Sequence, residues 1–191
     1  SDAENAKLNL EMGQAAFASE KFFYAEKKFI VARSYFEKAN MISDFGYLKT
    51  IANQGLLYTT MGRFSQAEKF TADALTMRQE KLGSNNLALA ASYNNYGVLH
   101  YNIGQYNESE KDFTEAIKVI KANSQLAEMP YSIVLNNQAM LFQSIGRYEE
   151  AVKILEEAIR TASKLETKSK NQLLFLSNLA LLYQQMGNYS D

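Results

Sequence analysis

Four asparagines recur along the chain, Asn53, Asn95, Asn137 and Asn178, spaced 42, 42 and 41 residues apart. Asn carries a donor and an acceptor on one short side chain. A ladder of such amides can bond both the N–H and the C=O of an extended peptide without reading its side chains. Asn is also a mediocre helix former with no local benefit in mid-helix. The column therefore points to a bonding partner, which is either a ligand or a neighbouring helix. One period earlier the column holds Glu11.

Little else in the chain could do chemistry. Its 191 residues include no Cys, one His and one Pro. Without Cys there is no disulfide framework, thiol nucleophile or Cys-based zinc site. A single His leaves little material for a triad or a His-rich metal site. His100 falls at a core-facing position where no carboxylate or nucleophile is expected on its face, so it reads as a packed, hydrogen-bonded side chain. No phosphate loop, zinc pattern or nucleophile elbow is present. No catalytic residue, metal ligand or cofactor site is expected, and no enzymatic activity. The net charge of −1 gives no electrostatic case for nucleic acid or an anionic membrane. The rows of Tyr and Phe lack the basic stripe of a base-stacking platform. The longest apolar run, Leu173 to Tyr183, is interrupted by Ser177 and Asn178. It falls short of the roughly 20 residues that span a bilayer, so no membrane insertion is expected. Cytoplasm and periplasm are equally compatible with a chain that lacks Cys. The chain does not begin with Met and shows no leader, which reads as processing or a fragment.

The elements that must position the asparagines follow the same period. Gly13, Gly55 and Gly97 are 42 residues apart, continued by Ala139 and Ala180. Gly62, Gly104, Gly146 and Gly187 form a second series, followed two residues later by Phe64, Tyr106, Tyr148 and Tyr189. Small residues recur at Ala25, Ala67, Ser109 and Ala151, and again at Ala32, Ala74, Ala116 and Ala158. A fixed period of this length marks a solenoid. Apolar residues such as Ile51, Leu57, Tyr58 and Met61 have helical spacing. The second Gly series ends the first helix of each period, because Gly adopts the left-handed conformation freely. In the first period Glu20 stands there instead. The early Gly or Ala lies mid-helix, which is tolerable where two helix backbones cross closely. The aromatic after the turn is expected to fill the wedge between the paired helices. Helix starts are expected at Ser43 or Asp44, at Ser84, near Pro130 and at Ser169.

This set of columns resembles the tetratricopeptide repeat family over essentially the whole chain. The period of 42 is similar to the long-repeat subclass of kinesin light chains and many bacterial regulatory arrays. Arg78-Gln79-Glu80-Lys81-Leu82-Gly83 and Tyr93-Asn94-Asn95-Tyr96-Gly97 resemble its linker and first-helix signature. The resemblance implies an all-α, right-handed superhelical solenoid of antiparallel helix pairs. It would be a single domain over 1–191, with repeats at about 6–43, 44–85, 86–127 and 128–168 and a half repeat at 169–191. The final Gly187-Asn188-Tyr189-Ser190-Asp191 matches a turn and the start of a second helix, so the protein is expected to continue. Leu176, Leu179, Tyr183 and Met186 would then present an uncovered apolar face open to self-association.

The resemblance further implies that the first helices line a concave groove. Asn53, Asn95, Asn137 and Asn178 would grip a peptide there, with Lys49, Asn94, Tyr101, Asn102, Asn136 and Gln143 around them. Leu56, Val98, Met140 and Leu181 would form an apolar floor, half-buried between adjacent first helices. Lys7 and Lys49 are the charged exceptions on an otherwise uncharged face. The carboxylate clamp of one well-known subset is absent, since its positions hold Leu10 and Gln14. The implied function is a non-enzymatic scaffold for a protein or peptide partner. The alternative is a sensory or regulatory array controlling a kinase, transcription regulator or protease outside these residues.

Overall fold

A computed structural model describes residues 1–82, 86–123, 128–164 and 170–188. The chain divides into two compact units, Ser1–Ser84 and Asn85–Asp191. The first holds α1 (Asp2–Ala18), α2 (Phe22–Lys38), α3 (Phe45–Thr60) and α4 (Phe64–Leu82). The second holds α5 (Leu87–Asn102), α6 (Tyr106–Lys121), α7 (Glu128–Ser144), α8 (Tyr148–Ala162) and α9 (Lys170–Asn188). Among the described residues every element is helical. Four helix pairs and one further helix follow the expected order.

The helix ends explain why the elements start and stop where they do. Ser1 and Glu4 form a reciprocal capping box on α1. The Gly46 N–H donates to Asp44 Oδ1 at 2.7 Å, so Asp44 caps α3. Asn86 caps α5 through the Ala88 N–H at 2.9 Å. The cap expected at Ser84 lies outside the described residues, as does Ser169. Pro130 falls in the first turn of α7, where its missing N–H costs nothing. The turns within pairs use Gly62, Gly104 and Gly146 at φ +70°, +79° and +79°. Each is closed by a bond from the next residue back five positions, as Arg147 N–H to Phe142 O at 2.8 Å. The first pair builds the same turn without Gly. Glu20 takes φ +58° and Lys21 N–H bonds Ala16 O at 2.9 Å. Gly187 departs from expectation. It is helical, and α9 runs through it to Asn188. No helix among the described residues follows to fix a turn there.

Packing within each pair depends on size matching at one crossing. A Cβ added at Gly13 would lie 2.5 Å from the Phe29 ring, and one at Gly97 would lie 2.5 Å from Phe113. The mid-helix glycines therefore make room for a ring, not for the backbone crossing expected from sequence. Gly55 is different, because an added Cβ would meet Thr71 Oγ1 at 2.6 Å and its backbone N at 3.1 Å. In the fourth pair the corresponding positions hold Ala139 and Leu155, so a larger small residue accompanies a smaller large one. The two small-residue columns of the second helices are sealed in every pair, none more than 1% exposed. Ser109, the one hydroxyl among them, donates to Gly97 O at 2.7 Å. The aromatics after the turns pack on the first helix of their pair, Phe22 against Phe17 and Tyr106 against Tyr101, with ring centroids 5.9 and 6.1 Å apart. Phe64 and Tyr106 remain 36% and 39% exposed and cap the pair's end. Deeper in the pair, the rings of Phe29 and Phe113 fill the space at Gly13 and Gly97.

On α9, Phe175 and Leu182 are buried. Leu176 and Tyr183 of the expected face are exposed, together with Leu173, Leu174 and Leu181. Leu179 and Met186 are half-buried. No helix among the described residues is long and apolar enough to cross a membrane.

The crossing makes a direct prediction. Gly97→Ala should lower stability by about 1–3 kcal/mol through overpacking, although Ala is intrinsically the better helix former by roughly 1 kcal/mol. Adding Phe113→Leu should restore most of the loss by recreating the Ala139 and Leu155 combination. Urea unfolding of the four-member mutant cycle checks this, and simple additivity would refute the contact.

Candidate functional site

The first helices of the second unit differ from its second helices in charge. Across α5, α7 and α9 the only ionisable Asp, Glu, Lys, Arg or His side chains are His100, Glu128 and Lys170. The helices α6 and α8 carry the acids and bases. His100 is itself paired locally, in a way that corrects the sequence expectation. A carboxylate does share its face, for Asp112 Oδ2 of α6 lies 2.6 Å from His100 Nδ1. Burial pushes the Asp112 carboxyl above its ordinary range, and the bond to His100 opposes that shift. Tyr96 stacks on the imidazole with ring centroids 5.4 Å apart. The pair is a packed link between α5 and α6.

The neutral helices are joined by two rows of side-chain hydrogen bonds. In the first row Asn137 Nδ2 donates to Asn94 Oδ1 at 2.9 Å, and Asn178 Nδ2 donates to Asn136 Oδ1 at 2.8 Å. In the second row Tyr101 OH and Ser144 Oγ lie 2.9 Å apart, and Gln143 Nε2 donates to Gln185 Oε1 at 2.6 Å. The rows are seven residues apart along each helix, or about two turns. Each row links α5 to α7 and α7 to α9. Thus the structure brings together Asn94, Asn136, Asn137, Asn178, Tyr101 and Gln143, but their amides and hydroxyl bond helix to helix. Asn136 is only 4% exposed and lies behind the surface. Asn102 is exposed, with its Nδ2 turned back to Val98 O at 2.7 Å. Asn95 is half-buried. Asn53 and Lys49 lie on α3 of the other unit, both half-buried. There the matching residues of α1 are Leu10 and Phe17, so neither row exists, and Asn53 Nδ2 is buried with no hydrogen-bond partner.

Beside the first row are two apolar pockets. One, of about 170 Å³, is lined by Val98, Tyr101, Asn102, Phe113, Asn137 and Met140. The other, of about 240 Å³, is lined mainly by Leu87, Ala91, Asn94, Ile120, Pro130 and Ile133. Val98 and Met140 were legible as floor residues. Ala91, Ile133 and Pro130 were not, since nothing in the repeat columns marks them. Outward-facing second helices also carry more than solvated charge. Arg147 bonds both carboxylate oxygens of Glu110 on α6, at 2.9 and 3.0 Å, and grips Glu150 at 2.6 and 2.7 Å. It stacks on Phe142 at 3.8 Å. These acids hold the Arg147 proton above the usual guanidinium range. Arg63 makes the equivalent bond to Glu26 in the first unit, at 2.7 Å. Among the described residues no group of three or more His, Cys, Asp or Glu could hold a metal ion.

The first row can be tested as a structural bond. Asn94→Ala and Asn137→Ala should each cost about 1 kcal/mol. The double variant should cost scarcely more than either alone, as read by urea unfolding. Asn53→Ala should cost clearly less than Asn137→Ala.

Comparison with known proteins matches these observations. No curated protein sequence matches the chain significantly. Solved structures do match. BtubC (BKLC) from P. vanneervenii superposes with a TM-score of 0.70 at 16% identity, covering 86% of this chain. This chain spans 65% of BtubC. A protein of Podosopora anserina described as a kinesin light chain with nearly identical TPR-like repeats gives a TM-score of 0.70 at 16% identity. That match covers 96% of this chain and 89% of the other. The Cut9–Hcn1 hetero-tetramer of APC/C gives 0.57 at 15% identity, covering 95% of this chain and 37% of that one. At these identities the likeness is one of fold. A family profile described as tetratricopeptide repeat matches residues 46–122 and 131–191. With its long period, paired helices and neighbours of kinesin-light-chain type, the chain belongs to the tetratricopeptide repeat family, whose helix pairs form scaffolds for protein interaction.

Proposed function

We propose that the chain is a non-enzymatic scaffold that holds a peptide or partner segment on the first-helix face of its second unit. The observation that carries this reading is the α5–α7 face itself. It is neutral, it opens into two apolar pockets, and the exposed amide of Asn102 stands at the rim of one. Apolar pockets with a few polar groups are the usual form of a binding surface. The face also sits on rigid elements. Its helices are keyed to one another by hydrogen bonds and to α6 by the His100–Asp112 pair, so little ordering cost falls on the protein when a ligand binds. The absence of charge argues against strongly acidic or basic ligands, because a charge desolvated there would find no counter-charge. No cluster of ionisable groups on this face offers the acid, base or nucleophile that turnover would need.

The test places a charge in the pocket without disturbing the core. Met140 is 39% exposed, so Met140→Glu should keep the helical signal and the urea midpoint close to those of the unaltered chain. Partners captured from the source lysate should fall at least about tenfold if this side chain is an anchor of the interface. Lys118→Glu, on the outward face of α6, should leave the captured set as it was. An unchanged set with Met140→Glu would sink the reading.

A further inference from the structure

We infer that the occupant of the α5–α7 face is a neutral-faced amphipathic helix with apolar side chains at positions i and i+7, lying along the seam. The inference rests on the reading of this face as the binding surface. It goes further by choosing the ligand's conformation from the spacing of the pockets.

Each pocket repeats the other seven residues along. Ala91 of one corresponds to Val98 of the other on α5, and Ile133 to Met140 on α7. Their floors, Ile120 and Phe113, are also seven residues apart on α6, which runs in the opposite direction. Seven residues of helix rise about 10.5 Å. Ala91 and Asn102 are both exposed, lie on one stripe of α5 and line one pocket each, so both pockets open on the same side. Between them stands the Asn94–Asn137 bond.

Three ligand conformations can be measured against that separation. An extended strand advances about 3.3 Å per residue, so its i and i+3 side chains are nearly the right distance apart but point to opposite faces. Its same-face pairs, two or four residues apart, span about 6.6 or 13.2 Å and miss one pocket. A polyproline helix brings i and i+3 to the same side at about 9.3 Å, somewhat short. An α-helix places i and i+7 about 10.5 Å apart, on nearly the same face, and matches the pitch of the receptor helices. Its i+3 and i+4 positions then lie over the amides of Asn94 and Asn137, where small or polar side chains fit.

Size and charge agree with this occupant. Volumes of about 170 and 240 Å³ each fall below the range of pockets that enclose a whole small molecule, and suit single side chains. Among the described residues no charged side chain lines either pocket. The complementary ligand face is therefore neutral as well.

The experiment titrates the whole chain against three labelled synthetic peptides by fluorescence anisotropy. One is an alanine-rich helix with Leu at i and i+7 and Gln at i+4. The second is the same helix with Leu at i and i+5. The third is a proline-rich peptide with Leu at i and i+3. The first should bind at least about tenfold more tightly than either other. Ala91→Glu and Met140→Glu should each weaken it by about tenfold, in variants whose urea midpoints are unchanged. Tighter binding of the proline-rich or i+5 peptide overturns the helical occupant and leaves the groove standing. The helical occupant is equally overturned if no peptide binds while Met140→Glu still strips captured partners. If Met140→Glu alters neither peptide binding nor partner capture, the groove reading falls, and the helix with it.

Discussion

How closely two helices of a pair can approach sets everything else in this molecule. At Gly13 and Gly97 the limit is a phenyl ring pressed into a space that no Cβ could share. At Gly55 it is the backbone of Thr71. Sealed Ala and Ser columns on the second helix complete the contact. Because each pair is held at a fixed distance and angle, the first helices of the second unit arrive side by side at a repeating offset. Only then can side chains one period apart meet as regularly as they do. The hydrogen-bond rows and the heptad-spaced pockets are both consequences of that offset.

Charge is sorted by the same arrangement. The outward second helices carry ion pairs that bridge successive pairs, as Arg63 with Glu26 and Arg147 with Glu110. Such partly exposed pairs contribute modestly to stability, though the stacking of Arg147 on Phe142 adds dispersion to charge. The first helices α5, α7 and α9 are left almost without charge. A surface free of ionic demands can offer its apolar hollows to a ligand without the desolvation penalty that a charged rim would impose.

Much of the fold could be read from residue spacing. Gly62, Gly104 and Gly146 announced their turns because left-handed backbone favours Gly at little cost, and four of the helix pairs lie where the period put them. The turn at Glu20 was not announced by its residue type, since packing of the pair imposes a conformation the residue does not prefer. Gly187 occupies the same column but is helical, and the residues after Asn188 lie outside those described. At the site, the asparagine column was visible and its two possible partners were both foreseen. Its bonding from helix to helix, Asn137 to Asn94 and Asn178 to Asn136, depends on a one-residue stagger between neighbouring first helices. That stagger comes from three-dimensional packing and leaves no mark on the period. Asp112 escaped for a similar reason, because the reach from α6 to His100 is set by the turn between them.

The two units solve one joint with different materials. In the second, directional hydrogen bonds at two levels pin α5, α7 and α9 in register, and a slip of even one ångström would break several of them at once. In the first, Leu10 and Phe17 stand where those bonds would be, and dispersion contacts hold nearly as well after a small displacement. Along the first-helix face, then, the joint of the second unit is keyed by direction, whereas the α1–α3 contact is held by shape alone. A load applied along these helices would meet resistance at the α5–α7–α9 face itself, whereas between α1 and α3 it would fall on the bonds that each makes with α2, such as Lys28–Asn9 and Tyr47–Glu37.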